Sequence, residues 1–322
     1  MKGKKELFLG LSLAFLLSVS ICAFGSSHNQ YSAINDFAED VYGETSVDVN
    51  SLENLKIEFD NAEITLPALG DDAITIMNHL DNADDFTFNL ELTSHSNNVV
   101  LNDNKVFYQN TQEDYIHAVQ MAEQEVRIIT EILDADAPDE YIYNLDLPEG
   151  AVLEQNENGV IYIYDATGLI RALVFADAAQ DADGNTLVTD IDIQDDGLVQ
   201  VVQSDNDVAY PINTSISVMS VKTFAYYFTD GYWLTRSDGL TLELKPYYTN
   251  LYAATTLPNN VTRADDSWST VYNKFYTHTN WKNTASMKSQ YMCHYDLSVG
   301  TDAWNLEPWR TGTANATNLC NP

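Results

Sequence analysis

The sequence predicts an α+β protein built in successive parts. Three observations carry that prediction: one helix-like apolar stripe over residues 112–133, a series of period-two segments after Glu140, and an abrupt change of charge at Lys222. The chain of 322 residues has 15 Lys+Arg against 48 Asp+Glu. Residues 222–322 hold 8 basic and 8 acidic residues, whereas residues 7–221 hold 4 basic and 39 acidic. A boundary that sharp separates parts with different surfaces. The acidity argues against nucleic acid and anionic lipid as partners, because both select positive charge. It fits a solvated acidic surface, or one that attracts cations and basic surfaces.

Residues 1–25 read as a secretory signal peptide. Lys2, Lys4 and Lys5 precede an apolar run from Leu7 to Leu17 that only Gly10 and Ser12 interrupt, and Ala23-Phe24-Gly25 offers a small-residue cleavage site. No other stretch approaches the roughly 20 apolar residues that span a bilayer. The mature chain is therefore expected to be secreted, in solution or held at a cell surface, with no transmembrane segment. Cys22 would leave with the leader, and the remaining Cys293 and Cys320 are expected to pair in an oxidising compartment. Such a bridge contributes roughly 3–4 kcal/mol through chain entropy.

Residues 26–136 read as an acidic α+β region. Residues 26–50, polar, acidic and poor in glycine, read either as a flexible leader or as holding a short helix around residues 31–42. Residues 55–66 and 86–92 alternate like strands, and residues 71–80 suit a short helix. Residues 99–108 bracket Asn102-Asp103-Asn104, a hairpin turn. The strongest helical pattern covers residues 112–133. There Tyr115, Val119, Ala122, Val126, Ile129 and Leu133 recur at alternating steps of four and three. Thr111 and Asp114 form a capping-box-like start.

Residues 137–215 read as an antiparallel β meander. The expected strands cover residues 141–143, 160–164, 169–175, 187–193 and 198–202. In the fourth, Leu187, Thr189, Ile191 and Ile193 share one face and Asp190 and Asp192 the other. Polar turns ending in glycine separate the strands at Gly159, Gly168, Gly184 and Gly197. The turn Asp181-Ala182-Asp183-Gly184-Asn185 is reminiscent of a calcium loop but lacks the EF-hand glutamate and ligand spacing, so it reads as an Asp-Gly turn. No cofactor or metal site is expected, and weak calcium binding follows from charge alone. The pieces Leu147-Pro148-Glu149-Gly150, Asp181–Asn185 with Thr189, Leu198–Val202 and Tyr210-Pro211 together resemble a β-rich segment of secreted Gram-positive, especially actinobacterial, proteins. The resemblance implies a presenting role for whatever follows it.

Residues 222–322 are aromatic-rich. The motifs Tyr232-Trp233-Leu234, Leu240–Pro246, Trp268, Ser286–His294, Trp304-Asn305-Leu306-Glu307-Pro308-Trp309-Arg310 and Cys320-Asn321-Pro322 resemble a C-terminal domain of unknown function found in secreted Gram-positive proteins. The resemblance implies export, a Cys293–Cys320 bridge and a small α+β fold, and it brings no activity. Read physically, Trp268, Tyr291, Trp304 and Trp309 make either a compact aromatic core or an exposed shelf for carbohydrate or peptide. Glu307 and Arg310 make either an ion pair closing the module or, through Arg310, an anchor for carboxylate or phosphate. On a strand, His294 and Asp296 would share a face as a general base with its orienting group. No partnered nucleophile stands at a recognisable spacing, and His278 with His294 lacks metal-ligand spacing.

The expected function is that of a secreted or cell-surface binding protein of the envelope, leaning away from an enzyme. An acidic stalk would carry the disulfide-bonded module to a cell-wall or host-surface component. The alternative is a secreted hydrolase or antagonistic toxin with its site around His294, Glu307 and Arg310.

Overall fold

Where the heptad spacing predicts a helix, the chain forms two antiparallel strands that turn at Gln124 (φ 73°). The computed structural model describes residues 31–42, 55–68, 73–80, 83–92, 98–109, 113–122, 124–195, 197–203, 207–252 and 260–322. The expected leader, its Cys22 and the cap residue Thr111 lie outside the described residues.

The first element is α1 (Ser32–Tyr42), which decides between the two readings of that stretch in favour of a short helix. Eight strands follow: β1 (Lys56–Glu58), β2 (Ala62–Thr65), β3 (Ile74–Asn78), β4 (Phe86–Leu92), β5 (Asn98–Asn102), β6 (Lys105–Gln109), β7 (Tyr115–Ala122) and β8 (Glu125–Ile132). Seven more are β9 (Glu140–Asp146), β10 (Val152–Gln155), β11 (Ile161–Tyr164), β12 (Ile170–Gln180), β13 (Val188–Gln194), β14 (Gly197–Gln203) and β15 (Ile212–Ser220). The C-terminal part contains α2 (Phe224–Tyr227), β16 (Phe228–Thr235), β17 (Leu240–Pro246), α3 (Tyr248–Leu251), α4 (Asn260–Phe275), α5 (Thr284–Leu297), β18 (Trp304–Leu306) and a 3-10 turn at Ala316–Asn318.

The molecule is mostly antiparallel β-sheet, which overturns the predicted α+β class and its acidic α+β N-terminal region. One sheet has the order β1-β2-β3-β4-β9-β14-β13 and the second β10-β11-β12-β15-β8-β7-β6-β5. Each takes strands from both sides of the boundary expected at residue 137. The expected helix over residues 71–80 is replaced by β3, whose Ile74 and Ile76 point inward. The expected meander is likewise divided. β10, β11 and β12 run through one sheet, while β13 and β14 join β9 in the other.

The two sheets face each other as a sandwich. Ile64, Ile76, Phe88, Leu90 and Tyr143 from the seven-stranded sheet share one core with Val119, Val126, Ile128, Ile163 and Val174 from the eight-stranded sheet. Three hairpin turns use the same device. Asn156, Asp165 and Asp181 each accept, through Oδ1, the backbone N–H groups two and four residues on. Glycines at φ 81–83° follow in each turn, a conformation that side chains rarely adopt. Asp181 also accepts from Asn185 Nδ2 and the Ala209 amide, so its carboxylate is engaged in holding the turn.

A buried polar chain crosses between the sheets. His117 Nδ1 meets Thr130 Oγ1 at 2.9 Å, and Tyr143 Oη donates to Gln200 Oε1 at 3.1 Å. Gln200 Nε2 then donates to Thr214 Oγ1 at 2.8 Å and Thr189 Oγ1 at 3.0 Å. Thr130 and Tyr143 stand 3.4 Å apart and link the two halves. Buried polar groups of this kind persist because each finds a partner.

Both faces of the eight-stranded sheet are covered. On its outer face α1 packs Tyr31, Ile34 and Phe37 against Phe107, Ile116, Ala118 and Ile129. The C-terminal module covers another part of that face, with Tyr272 of α4 against a cluster that includes Tyr162, Leu173 and Phe175. Two-sided burial removes the in–out alternation of a half-wet sheet, and β7, β8 and β15 are buried along their whole length. The module has its own core, in which Tyr227, Leu242, Leu244, Trp268, Tyr291 and Trp304 meet. Among the described residues no helix is long and apolar enough to cross a membrane.

Candidate functional site

The positions that looked chemical in the sequence are mostly internal. His294 and Asp296 lie on α5, not on a strand, so two residues apart they point to different sides of the helix. His294 Nε2 bonds the Asn305 carbonyl oxygen at 3.1 Å, and Nδ1 lies 3.1 Å from Ser298 Oγ. A carbonyl only accepts, so Nε2 carries the proton and Nδ1 accepts from the serine. The ring stacks on Trp304 at 6.2 Å and 12°, and burial lowers its pKa. A neutral imidazole with both nitrogens bonded does not serve as a ready general base.

Glu307 and Arg310 form the ion pair through Arg310 Nε. The guanidinium also donates from Nη1 to the Pro322 main-chain oxygen at 2.9 Å and lies 4.3 Å from the centre of the Trp309 ring. Arg310 thus pins the residues after Cys320 rather than facing an open anion site. Trp304, Tyr291 and Trp268 are buried in the module core. Trp309 is 43% exposed, the one ring of the four with the character of a shelf. His278 stacks on Trp233 at 5.1 Å, away from His294. Among the described residues no group of three His, Cys, Asp or Glu is placed to hold a metal ion.

The most developed polar site lies on the seam between sandwich and module, and sequence reading had not singled it out. α4 runs along that seam and carries two adjacent buried aspartates. Neighbouring helix positions diverge by about 100°, so the two carboxylates serve different partners. Asp266 turns into the module, where it accepts from Tyr227 Oη at 2.5 Å and from the Lys222 amide at 3.2 Å. Burial raises its pKa, opposed by the tyrosine and Lys222.

Asp265 turns to the sandwich. Its Oδ1 accepts from Tyr162 Oη of β11 and sits 2.9 Å from Lys288 Nζ of α5, while its Oδ2 accepts from Asn156 Nδ2 at 3.3 Å. Lys288 Nζ also donates to Tyr162 Oη at 2.6 Å. Burial, then the Asp265 charge, hold the Tyr162 hydroxyl far above the ordinary phenol pKa. Tyr162 is therefore a neutral donor to the carboxylate and an acceptor for the ammonium, and Lys288 keeps one N–H for a further acceptor. Farther along α4, Asn273 exchanges two bonds with the backbone of Ile170 at 2.8 and 2.7 Å, and Tyr276 Oη donates to the Thr167 carbonyl oxygen at 2.5 Å. These bonds make the seam specific as well as apolar.

Asp265 and Lys288, the partners of Tyr162, line a cleft of about 690 Å³. One wall is the β10–β11 turn with Asn156, Glu157 and Asn158, and the other is α5 with Met292, Cys293, Asp296 and Leu297. A volume of this size lies within the roughly 300–1,000 Å³ range of ligand pockets. The disulfide Cys293–Cys320, with Cα atoms 5.4 Å apart, anchors the 314–316 loop side of the same cleft.

Residues 229–322 match the family described as Protein of unknown function (DUF2599). That region contains the disulfide, α4 and α5, but not Asn156, Glu157 or Asn158, so the cleft needs residues from outside it. No curated protein matches the chain. The aspartate pair is visible in the sequence as two adjacent acids, Asp265-Asp266, in an aromatic module that is neutral as a whole. Nothing in the sequence separates it from an exposed charged face.

Proposed function

We propose that this is an exported binding protein of the cell envelope, in which the acidic sandwich presents the C-terminal module and a ligand is taken in the cleft between them. The observation that carries the reading is the contrast in engagement of polar groups. His294, Glu307 and Arg310 are committed to internal bonds and to the chain after Cys320. The seam cleft instead combines the fixed Asp265–Lys288 pair with two wall carboxylates, Glu157 and Asp296, that have no hydrogen bond or ion pair among the described residues. The same contrast supports binding over the hydrolase or toxin alternative. Export is supported by the leader-like residues 1–25 and by the disulfide, since such bridges persist in oxidising compartments.

Expression of the full chain in a Gram-positive host tests both parts. The protein should be recovered outside the cytoplasm with Cys293 and Cys320 joined, and it should be retained on purified cell wall or host matrix. Recovery inside with free thiols overturns export. Flow-through of the bridged protein from every such surface overturns binding. Cys320→Ser should lower stability by roughly 2–5 kcal/mol, the usual cost of losing a native bridge in a small secreted domain. An unchanged unfolding curve would mean that the bridge does not hold the module.

A further inference from the structure

We propose that the seam cleft is a docking site for a basic peptide segment that carries an apolar residue beside its cationic one. The inference rests on the binding reading above and names the class of ligand.

Charge gives the first half. The lining contains Asp265, Lys288, Glu157 and Asp296. Asp265 and Lys288 neutralise each other at 2.9 Å, which leaves Glu157 on the sandwich wall and Asp296 on the module wall without a cation. Partial burial already raises the pKa of Asp296, as expected for a carboxylate losing water without a counter-charge. The wider field has the same sign. Three of the four basic residues in residues 7–221, Lys105, Arg127 and Arg171, are buried. The sandwich therefore offers carboxylates to solvent and hardly any compensating cation, which steers positive ligands toward it.

Apolar surface gives the second half. Met292, Leu297, Ala285 and Ala314 line the same cleft as the two carboxylates. Leu297 is 58% exposed, and Leu319, next to the bridged Cys320, is 79% exposed. Leu319 holds φ 52°, a left-handed conformation that is unfavourable for a bulky residue. The disulfide and the Asn315-capped turn keep it there. The apolar lining and the exposed Leu297 suit a ligand that brings an apolar side chain, and they offer nothing to a small hydrophilic cation. Lys288, with one N–H left over, is placed to donate to a peptide carbonyl oxygen.

The test uses the full chain and a fluorescein-labelled peptide of alternating lysine and leucine, followed by anisotropy. Lysine–serine and glutamate–leucine peptides serve as controls. The lysine–leucine peptide should bind, and each control should bind at least tenfold more weakly. The double variant Glu157→Gln/Asp296→Asn should weaken binding at least tenfold, and Leu297→Ser should do so severalfold. Asp190→Asn/Asp192→Asn removes the same charge from the outer face of β13 and should change binding less than twofold. Equal loss in the two double variants would reduce the effect to general charge and overturn the site. Equal binding of the lysine–serine peptide would overturn the apolar half, and no binding at all would overturn the ligand class. Retention on cell wall with no peptide binding would leave the binding reading standing and remove this inference alone.

Discussion

The two sheets of the sandwich are built from the same kinds of residue and differ in what lies on their outer faces. In the seven-stranded sheet, β9 alternates strictly, with Tyr141, Tyr143 and Leu145 inside and Glu140, Ile142, Asn144 and Asp146 outside. β13 does the same, with Ile191 inside and Asp190 and Asp192 outside. In the eight-stranded sheet, α1 and the C-terminal module bury the outer face as well. The contrast teaches that alternation reports water on one side of a sheet. Where the second face is covered, the pattern loses its meaning even though the backbone is the same.

The contrast can be pressed first where the sheets are fastened together. Arg171 of β12 pairs with Asp165 at 2.6 Å and donates to the Asp84 carbonyl oxygen at 2.9 Å, at the end of the seven-stranded sheet near β4. Arg171→Met strands a buried carboxylate and should cost about 3–5 kcal/mol in urea unfolding. A loss below 1 kcal/mol would mean that the pair is solvated and the sheets are held by their apolar core alone.

Equivalent truncations on the two outer faces should differ next. Ile129 lies under α1, and Ile129→Ala should cost about 2–5 kcal/mol. Val188 of β13 is 56% exposed, and Val188→Ala should cost less than about 0.5 kcal/mol. Equal costs would show that α1 does not cover the eight-stranded sheet.

A third effect depends on pH, because the β7–β8 hairpin carries a titratable group on each face. Burial between the sheets lowers the His117 pKa to about 4, and burial on the other face raises the Glu131 pKa to about 7. The unfolded chain binds protons at His117 more readily than the folded one. Stability from that site is therefore present above about pH 6.5 and lost as pH falls toward 4. Glu131 acts oppositely: stability is present below about pH 4.5 and lost as pH rises toward 7. Each window spans on the order of 3 kcal/mol, and the two largely offset. Relative to the parent, Glu131→Gln should gain stability from pH 4.5 to 7, and His117→Asn should gain it from pH 6.5 to 4. Flat difference profiles in denaturant midpoints would place both side chains in water.

These same residues explain what the sequence could and could not disclose. In β8, Val126, Ile128 and Ile132 face inward, but the inward place between them is Thr130, and Ile129 faces out. In β7 the inward run Tyr115, Val119, Met121 is interrupted by His117. His117 and Thr130 bond each other across the strands, so the buried polar network occupies the positions where alternation would have shown. The apolar residues that remained then fell by coincidence on a heptad. Tyr115, Val119 and Val126, read as one helical stripe with Ile129, face the opposite side of the sheet from it. α5 was hidden for a related reason. Its buried face includes Ser286 and Gln290, and Gln290 bonds the backbone of Glu307. By contrast the β5–β6 hairpin, the glycine turns and the paired cysteines could be read directly, because each depends on local chemistry. The seam cleft could not, since Tyr162, Asp265 and Lys288 are brought together only by the docking of one part on another.

That docking is the central claim, and calorimetric unfolding of the full chain tests it most directly. If α4 is seated on the eight-stranded sheet through Asp265, Asn273 and Tyr276, the sandwich and the module should unfold in one transition whose calorimetric and van't Hoff enthalpies agree. Lys288→Met should lower that single transition without splitting it. Two separate transitions in the parent protein, with Lys288→Met shifting neither, would contradict the account and return the module to the status of an independent head.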